Sequence, residues 1–177
     1  MRVIPGDTMP AIDARLVGGG RWALAAEKAD KLALLVFYRG LFCPICKAWL
    51  AELNALVPEF ERRGVSVIAL SCDRRDAAEK TVQDWGLANL RVGYKLDPED
   101  ARKAGLYISE GRGPSASTGV REPMLFSEPG VLAALPEGTL YAAWIQSAPQ
   151  TRPAFAQILK AIDTFLERGL PDPRGSA

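Results

Sequence analysis

Two of the chain's three cysteines, Cys43 and Cys46, stand in "GLFCPICKAWLAEL" (residues 40–53). Two thiols three positions apart support three kinds of chemistry: half of a zinc site, a structural disulfide, or a dithiol that cycles between its open and closed forms. A structural zinc ion wants four ligands, drawn mainly from thiolate and imidazole. This sequence has no histidine, and its third cysteine, Cys72, is the sole thiol left to recruit. Three cysteines and a carboxylate make an unusual zinc set, so no metal is expected. The missing histidine also removes Ser-His-Asp triads, Cys-His pairs and imidazole general bases. Thiol chemistry is what remains.

The elements around the pair favour the cycling dithiol. The apolar run "LALLVFY" reads as a fully buried strand ending at Arg39-Gly40. Cys46, Trp49, Leu50, Leu53, Leu56, Val57 and Phe60 then recur at three- and four-residue spacing, which is one apolar face of a helix. Pro58 lies within that pattern and is expected to kink it, and Gly64 to stop it. A thiol at the first turn of a helix meets unpaired N–H groups and the positive end of the dipole, so Cys43 is expected to ionise easily. Arg39 adds positive charge if its loop folds back. Pro44 pre-sets helical geometry where a missing N–H costs little. Cys46, one turn deeper on the same face, can close a disulfide with Cys43. An exposed, low-pKa Cys43 attacks, and Cys46 resolves. The plain alternative is two helix cysteines packed as small hydrophobes.

The rest of the chain supplies a frame. "LVGGGRWAL" suggests a short strand pair, "VSVIALS" a second buried strand, and "DAAEKTVQDWG" a helix closed by Gly86. "LRVGYKLD" suggests a short strand, and "DPEDARKAG" a short helix capped by Asp97 with Pro98 in its first turn. An antiparallel hairpin, "VLAAL-PEG-TLYAAWI", and a last one-sided helix from Phe155 to Leu166 complete the order. Strand–helix–strand connections imply a right-handed crossover and parallel pairing. The fold class is therefore α/β: a mixed central sheet with helices on both faces, in one domain spanning residues 1–177. Residues 107–127 fit no element, which marks an insertion or mobile loop, and 170–177 are expected to fray.

The 22 basic residues nearly cancel the 21 acidic ones, which argues against nucleic acid or a membrane surface as partner. No apolar stretch approaches the ~18 residues of a membrane span, and "MRVIPGDTMPAIDA" lacks the apolar core of a signal peptide. A cytoplasmic, reducing setting is the expectation, and there a CxxC is redox-active more often than a permanent staple.

"VFYRGLFCPICKAWLAEL" followed by "GVSVIALSCD" resembles the thioredoxin-fold redox proteins, and more closely the peroxiredoxin-like (AhpC/TSA, redoxin) family. "PGDTMPAIDARLVGG" is similar to that family's N-terminal extension, and "SEPGVLAALPEGTLYAAWIQSAPQTRP" to its later hairpin and last helix. The resemblance implies a thioredoxin-like fold and a thiol-dependent oxidoreductase without a bound cofactor. Its oxidant would be a peroxide or a protein disulfide, and its reductant an external thiol of thioredoxin or glutathione type. A non-catalytic redox sensor or binding domain is the alternative. The two family registers assign the cysteines opposite roles: the peroxiredoxin register makes Cys46 the attacking sulfur, the thioredoxin register Cys43. Helix-end physics favours Cys43. Phe42 and Pro44-Ile45 stand where thioredoxin has Trp and Gly-Pro. The family's arginine has no evident match, leaving Arg39 and Arg121 as candidates. A cis-proline beside the cysteines is also implied, with Pro129 preferred over Pro123. Cys72, Trp49 and Trp85 read as packing residues.

Overall fold

The computed structural model describes residues 3–177. Its centre is β3 (Leu32–Phe37), six consecutive residues with no face open to water. A strand flanked on both sides and covered on both faces has no use for polar alternation, hence the unbroken apolar run. β3 pairs in parallel with β4 (Val65–Leu70), and β4 with β5 (Arg91–Tyr94). On its other side β3 pairs antiparallel with β8 (Gly130–Ala134), which turns back into β9 (Leu140–Ile145). β1 (Asp13–Leu16) and β2 (Arg21–Ala23) extend the opposite edge, giving a seven-stranded mixed sheet in the order β2-β1-β5-β4-β3-β8-β9.

One face is covered by α1 (Pro44–Glu61), α4 (Phe155–Glu167) and the inner residues of α2 (Arg75–Trp85), which share a core with alternate residues of β3 and β4. The other face is covered by Met9, Ile12, Trp22 and Leu24 from the N-terminal segment and by α3 (Pro98–Lys103). This is the α/β sandwich expected, with the N-terminal extension forming much of its second layer. α1 continues through Pro58: the N–H of Arg62 still reaches the Pro58 carbonyl, and Gly64 then takes φ +73°. α2 stops at Gly86 in the left-handed region, and α3 is capped by the Asp97 carboxylate, which accepts from the N–H of Glu99.

Residues 107–127 build a two-stranded ribbon of β6 (Ile108–Glu110) and β7 (Leu125–Ser127), with a turned tip between them. Strands of three residues are too short to leave a readable alternation. The peptide before Pro129 is trans, as are the others described, which corrects the expected cis-proline. Glu128 hydrogen-bonds Tyr107 and the Pro129 carbonyl accepts from Gln146, so the chain passes from β7 into β8 as one extended stretch.

Candidate active site

β3 ends at the edge of the cysteine loop, at the carboxyl end of the sheet's parallel strands β3, β4 and β5, where α/β folds gather their functional groups. Gly40 makes the turn with φ +138°, and its α-carbon packs directly on Asp73: a methyl group there would meet Asp73 Oδ1 at 2.6 Å. Asp73 Oδ2 in turn accepts from the N–H of Leu41 at 2.9 Å. Phe42 is buried edge-on against Phe126, and its carbonyl accepts from the Thr118 hydroxyl at 3.1 Å, so the ribbon tip is tied to the residue before the first cysteine.

Cys43 is the N-cap of α1, with Pro44 in the first turn. Its sulfur accepts from the backbone N–H of Cys46 at 3.4 Å. Both thiols are free. Cys43 is 2% exposed and Cys46 fully buried, which corrects the expectation of an exposed attacking sulfur. The cover is Arg152: its Nη2 lies 3.5 Å from Cys43 Sγ and 3.3 Å from Cys46 Sγ, with the guanidinium 5.4 Å above the Trp49 ring. The Cys43 thiol is driven well below its ordinary pKa by the hydrogen bond from the Cys46 thiol, then the Cys46 N–H, then the charges of Arg152 and Arg39; these outweigh burial. Cys46 is driven up, first by burial, then by its hydrogen bond to Cys43 and by that neighbour's negative charge. One sulfur is set up as a thiolate and the other as a proton-bearing thiol.

Among the residues named from sequence, the structure brings together Cys43, Cys46, Phe42 and Pro44. Arg39 stands beside them but is committed elsewhere: it pairs with the buried Glu128 at 3.3 Å and lies 5.1 and 5.0 Å over the rings of Phe42 and Phe126. Its effect on Cys43 is weaker than that of Arg152. Arg121 lines a groove of about 740 Å³ with Cys72, Asp73 and Met124, and makes no contact with the paired sulfurs. Pro129 is buried immediately before β8. Trp49 does more than pack, since it carries the arginine.

Arg152 itself escaped the sequence reading, although strand direction holds a signal for it. β8 runs against β3, and β9 runs against β8, so β9 ends beside Gly130, the partner of Phe37, at the same end of the sheet as the cysteines. The loop after β9 must therefore pass the site, and Arg152 is the one basic residue between Ile145 and Phe155.

Residues 5–134 match the family model described as the AhpC/TSA family. The chain belongs to the AhpC/TSA family. A 1-Cys peroxiredoxin of Onchocerca volvulus is 42% identical over 55 residues, 31% of this chain and 24% of that protein. 1-Cys peroxiredoxin A of Oryza sativa is 28% identical over 102 residues, 56% of this chain and 46% of that one. The AhpC/TSA chain thus spans at most about half the length of these curated relatives. Among solved structures, a peroxiredoxin-like protein from Aquifex aeolicus superposes with a TM-score of 0.73 at 18% identity, over 93% of this chain and 88% of that one. Peroxidoxin BcpB from Mycobacterium tuberculosis does so at 0.71 and 15%, over 92% and 98%. These two likenesses establish the fold.

Proposed function

We propose that this AhpC/TSA chain is a thiol-dependent peroxidase in which Cys43 attacks and Cys46 resolves. The observation that carries the reading is the Cys43 sulfur at the N-cap of α1, accepting from the Cys46 N–H and lying within reach of Arg152. A thiolate is the nucleophile in such chemistry, and a helix start with an adjacent cation is what stabilises one. In the first step the Cys43 thiolate attacks the nearer peroxide oxygen. The S–O bond forms, the O–O bond breaks, and the leaving oxygen takes a proton and departs as water or an alcohol. Cys43 becomes a sulfenic acid. In the second step the Cys46 sulfur attacks Cys43, its proton leaves with the sulfenic oxygen as water, and a Cys43–Cys46 disulfide closes. An external dithiol of thioredoxin type, or two glutathione-type thiols, then reduces it. Arg152 holds the thiolate before the attack and offers N–H groups to the departing oxygen. Cys46, kept protonated by burial, supplies the proton that the second step consumes.

Peroxide is preferred to a protein disulfide as oxidant because both sulfurs are buried, with Arg152 Nη2 within 3.5 Å of each, and a small molecule reaches such sulfurs more readily than the disulfide of a folded protein. We place the cycle in the cytoplasm, where a reducing thiol pool is at hand. Family membership does not favour the non-catalytic sensor. Stopped-flow oxidation of the reduced chain by hydrogen peroxide and, separately, by a model disulfide tests the reading. Fast oxidation by peroxide with repeated turnover under dithiothreitol or thioredoxin is expected. A single oxidation without turnover, or faster reaction with the disulfide, would overturn it.

A further inference from the structure

Arg152 is delivered by a stretch, residues 146–154, that has no helix or strand of its own. Its guanidinium Nε and Nη1 are buried without hydrogen-bond partners, so its place over the sulfurs depends on how the backbone beside it is held. That backbone is held by α1. The Trp49 indole N–H donates to the Pro153 carbonyl at 2.9 Å, and the Trp49 ring stacks on Phe155 with centroids 4.7 Å apart. One turn further along, Glu52 Oε1 accepts from the N–H of Phe155 at 2.8 Å and from that of Ala156 at 3.3 Å. These are orphan donors of the first turn of α4, and the residue at its own cap, Ala154, has no side-chain acceptor to satisfy them. Glu52 does the capping from another helix.

Cys46, Trp49 and Glu52 follow one another at three-residue steps, so they share one side of α1. The side that ends in the resolving sulfur therefore also grips the three residues Pro153, Phe155 and Ala156 that follow the arginine. We propose that Glu52 and Trp49 are positioning residues: they fix the start of α4 so that Arg152 Nη2 stays in reach of both sulfurs. Neither touches the reacting atoms. They act through the guanidinium, and through it on the ionisation of Cys43.

A cap that only steadied α4 would change melting temperature and leave the sulfur alone. The test therefore reads the sulfur. The reduced full chain is alkylated with iodoacetamide across a pH series, and labelling at Cys43 is resolved by mass spectrometry. Arg152→Met sets the full upward displacement of the labelling midpoint. Glu52→Ala is expected to shift it the same way by a sizeable fraction of that displacement, with several-fold slower labelling at mildly acidic pH. Glu52→Gln, which keeps an acceptor oxygen in place, is expected to restore most of the loss. The double variant Glu52→Ala/Arg152→Met should match Arg152→Met alone, because residues acting through one group are not additive. A wild-type midpoint in Glu52→Ala, or full additivity in the double variant, overturns the proposal. If Glu52→Ala fails to fold, Trp49→Phe decides: it keeps a stacking ring but removes the donor to Pro153, and an unshifted midpoint sinks the idea. The readout uses no peroxide and no reductant, so it stands or falls separately from the peroxidase reading.

Discussion

Cys43 and Cys72 occupy like places in the fold. Each follows the carboxyl end of a central parallel strand, β3 for one and β4 for the other, and each precedes a helix on the same face of the sheet. Their chemistry is opposite. Cys43 is pulled down by hydrogen bonds and two arginines. Cys72 is pushed up to about 12, first by burial, and the carboxylates of Asp73 and Asp97 add to it. The difference lies in a few ångströms of register. Cys43 is itself the cap of α1, whereas Cys72 stands three residues before Arg75 opens α2, beyond reach of that helix's N–H groups. A strand end makes a place for a thiol; the neighbouring thiol, the helix cap and the cation decide whether it reacts.

Removing each sulfur in turn tests this contrast most severely. Cys43→Ser should reduce peroxide turnover by about a thousandfold or more, since no other group of comparable nucleophilicity is in place. Cys46→Ser should still react once with peroxide and then stall without an intramolecular disulfide, visible as a stable sulfenic acid trapped by dimedone. Were the roles reversed, with Cys46→Ser dead at the first step, the peroxiredoxin register would hold and Cys43 would be the resolver.

The cation comes next. Arg152→Met removes a charge 3.5 Å from Cys43 Sγ, and a loss of about 1.4 kcal/mol in thiolate stabilisation is tenfold in thiolate population below the pKa. Peroxide oxidation at pH 4, below the Cys43 pKa of about 5, should slow by nearly that factor, with an effect of about twofold at pH 6 and less at alkaline pH, where the thiolate forms unaided. Arg152→Lys should recover part of the loss, as a point charge without the planar fork. Equal slowing at every pH would mean that Arg152 serves the departing oxygen and not the thiolate.

The contrast also explains what the sequence could disclose. β3 and the inner face of α1 were legible because burial on both faces leaves an unbroken apolar run, and one-sided burial leaves three- and four-residue spacing. Cys43 at a helix start followed from those two patterns and Pro44. Arg152 was not legible in the same way: it is 109 residues from Cys43, sits in a loop with no periodicity, and is placed by two strand reversals that had to be composed before their end point meant anything. Arg39, nearer in sequence, was the more visible candidate, yet Glu128 claims it. The absence of a cis bond at Pro129 also lay beyond pattern reading, because a proline before a strand looks the same in either isomer.

A third test concerns the carboxylate beneath the cysteine loop. Asp73 is 4% exposed, and burial pushes its carboxyl up to about 6, with Asp76 adding to the rise and the Leu41 N–H and Ser71 opposing it. Tyr38 also faces it, and its phenol is itself held neutral by burial. A carboxyl whose folded pKa lies above its unfolded value of 3.8 binds more protons when folded between the two, so stability falls as pH rises from about 4 to about 6. Asp73→Asn keeps an oxygen for Leu41 and removes the charge. It should gain about 1–3 kcal/mol on the wild type between pH 4 and pH 7, measured by urea unfolding at both. A difference that does not change with pH would mean Asp73 stays ionised throughout.

The smallest effect is expected at Cys72. The thiol is half-buried between the two cores and keeps its proton at neutral pH. Cys72→Ala deletes one sulfur atom from packing that the ribbon can partly close over, at a cost of about 1 kcal/mol. Peroxide turnover should stay within about twofold of the wild type, because the helix cap and Arg152 that activate Cys43 are untouched. The sharper form of the test is competitive labelling of the unmodified chain at pH 7, where Cys43 should be alkylated long before Cys72 despite being the less exposed of the two. If Cys72 reacted first, exposure would outrank ionisation in governing these thiols, and the contrast between the two strand ends would reduce to which one water can reach.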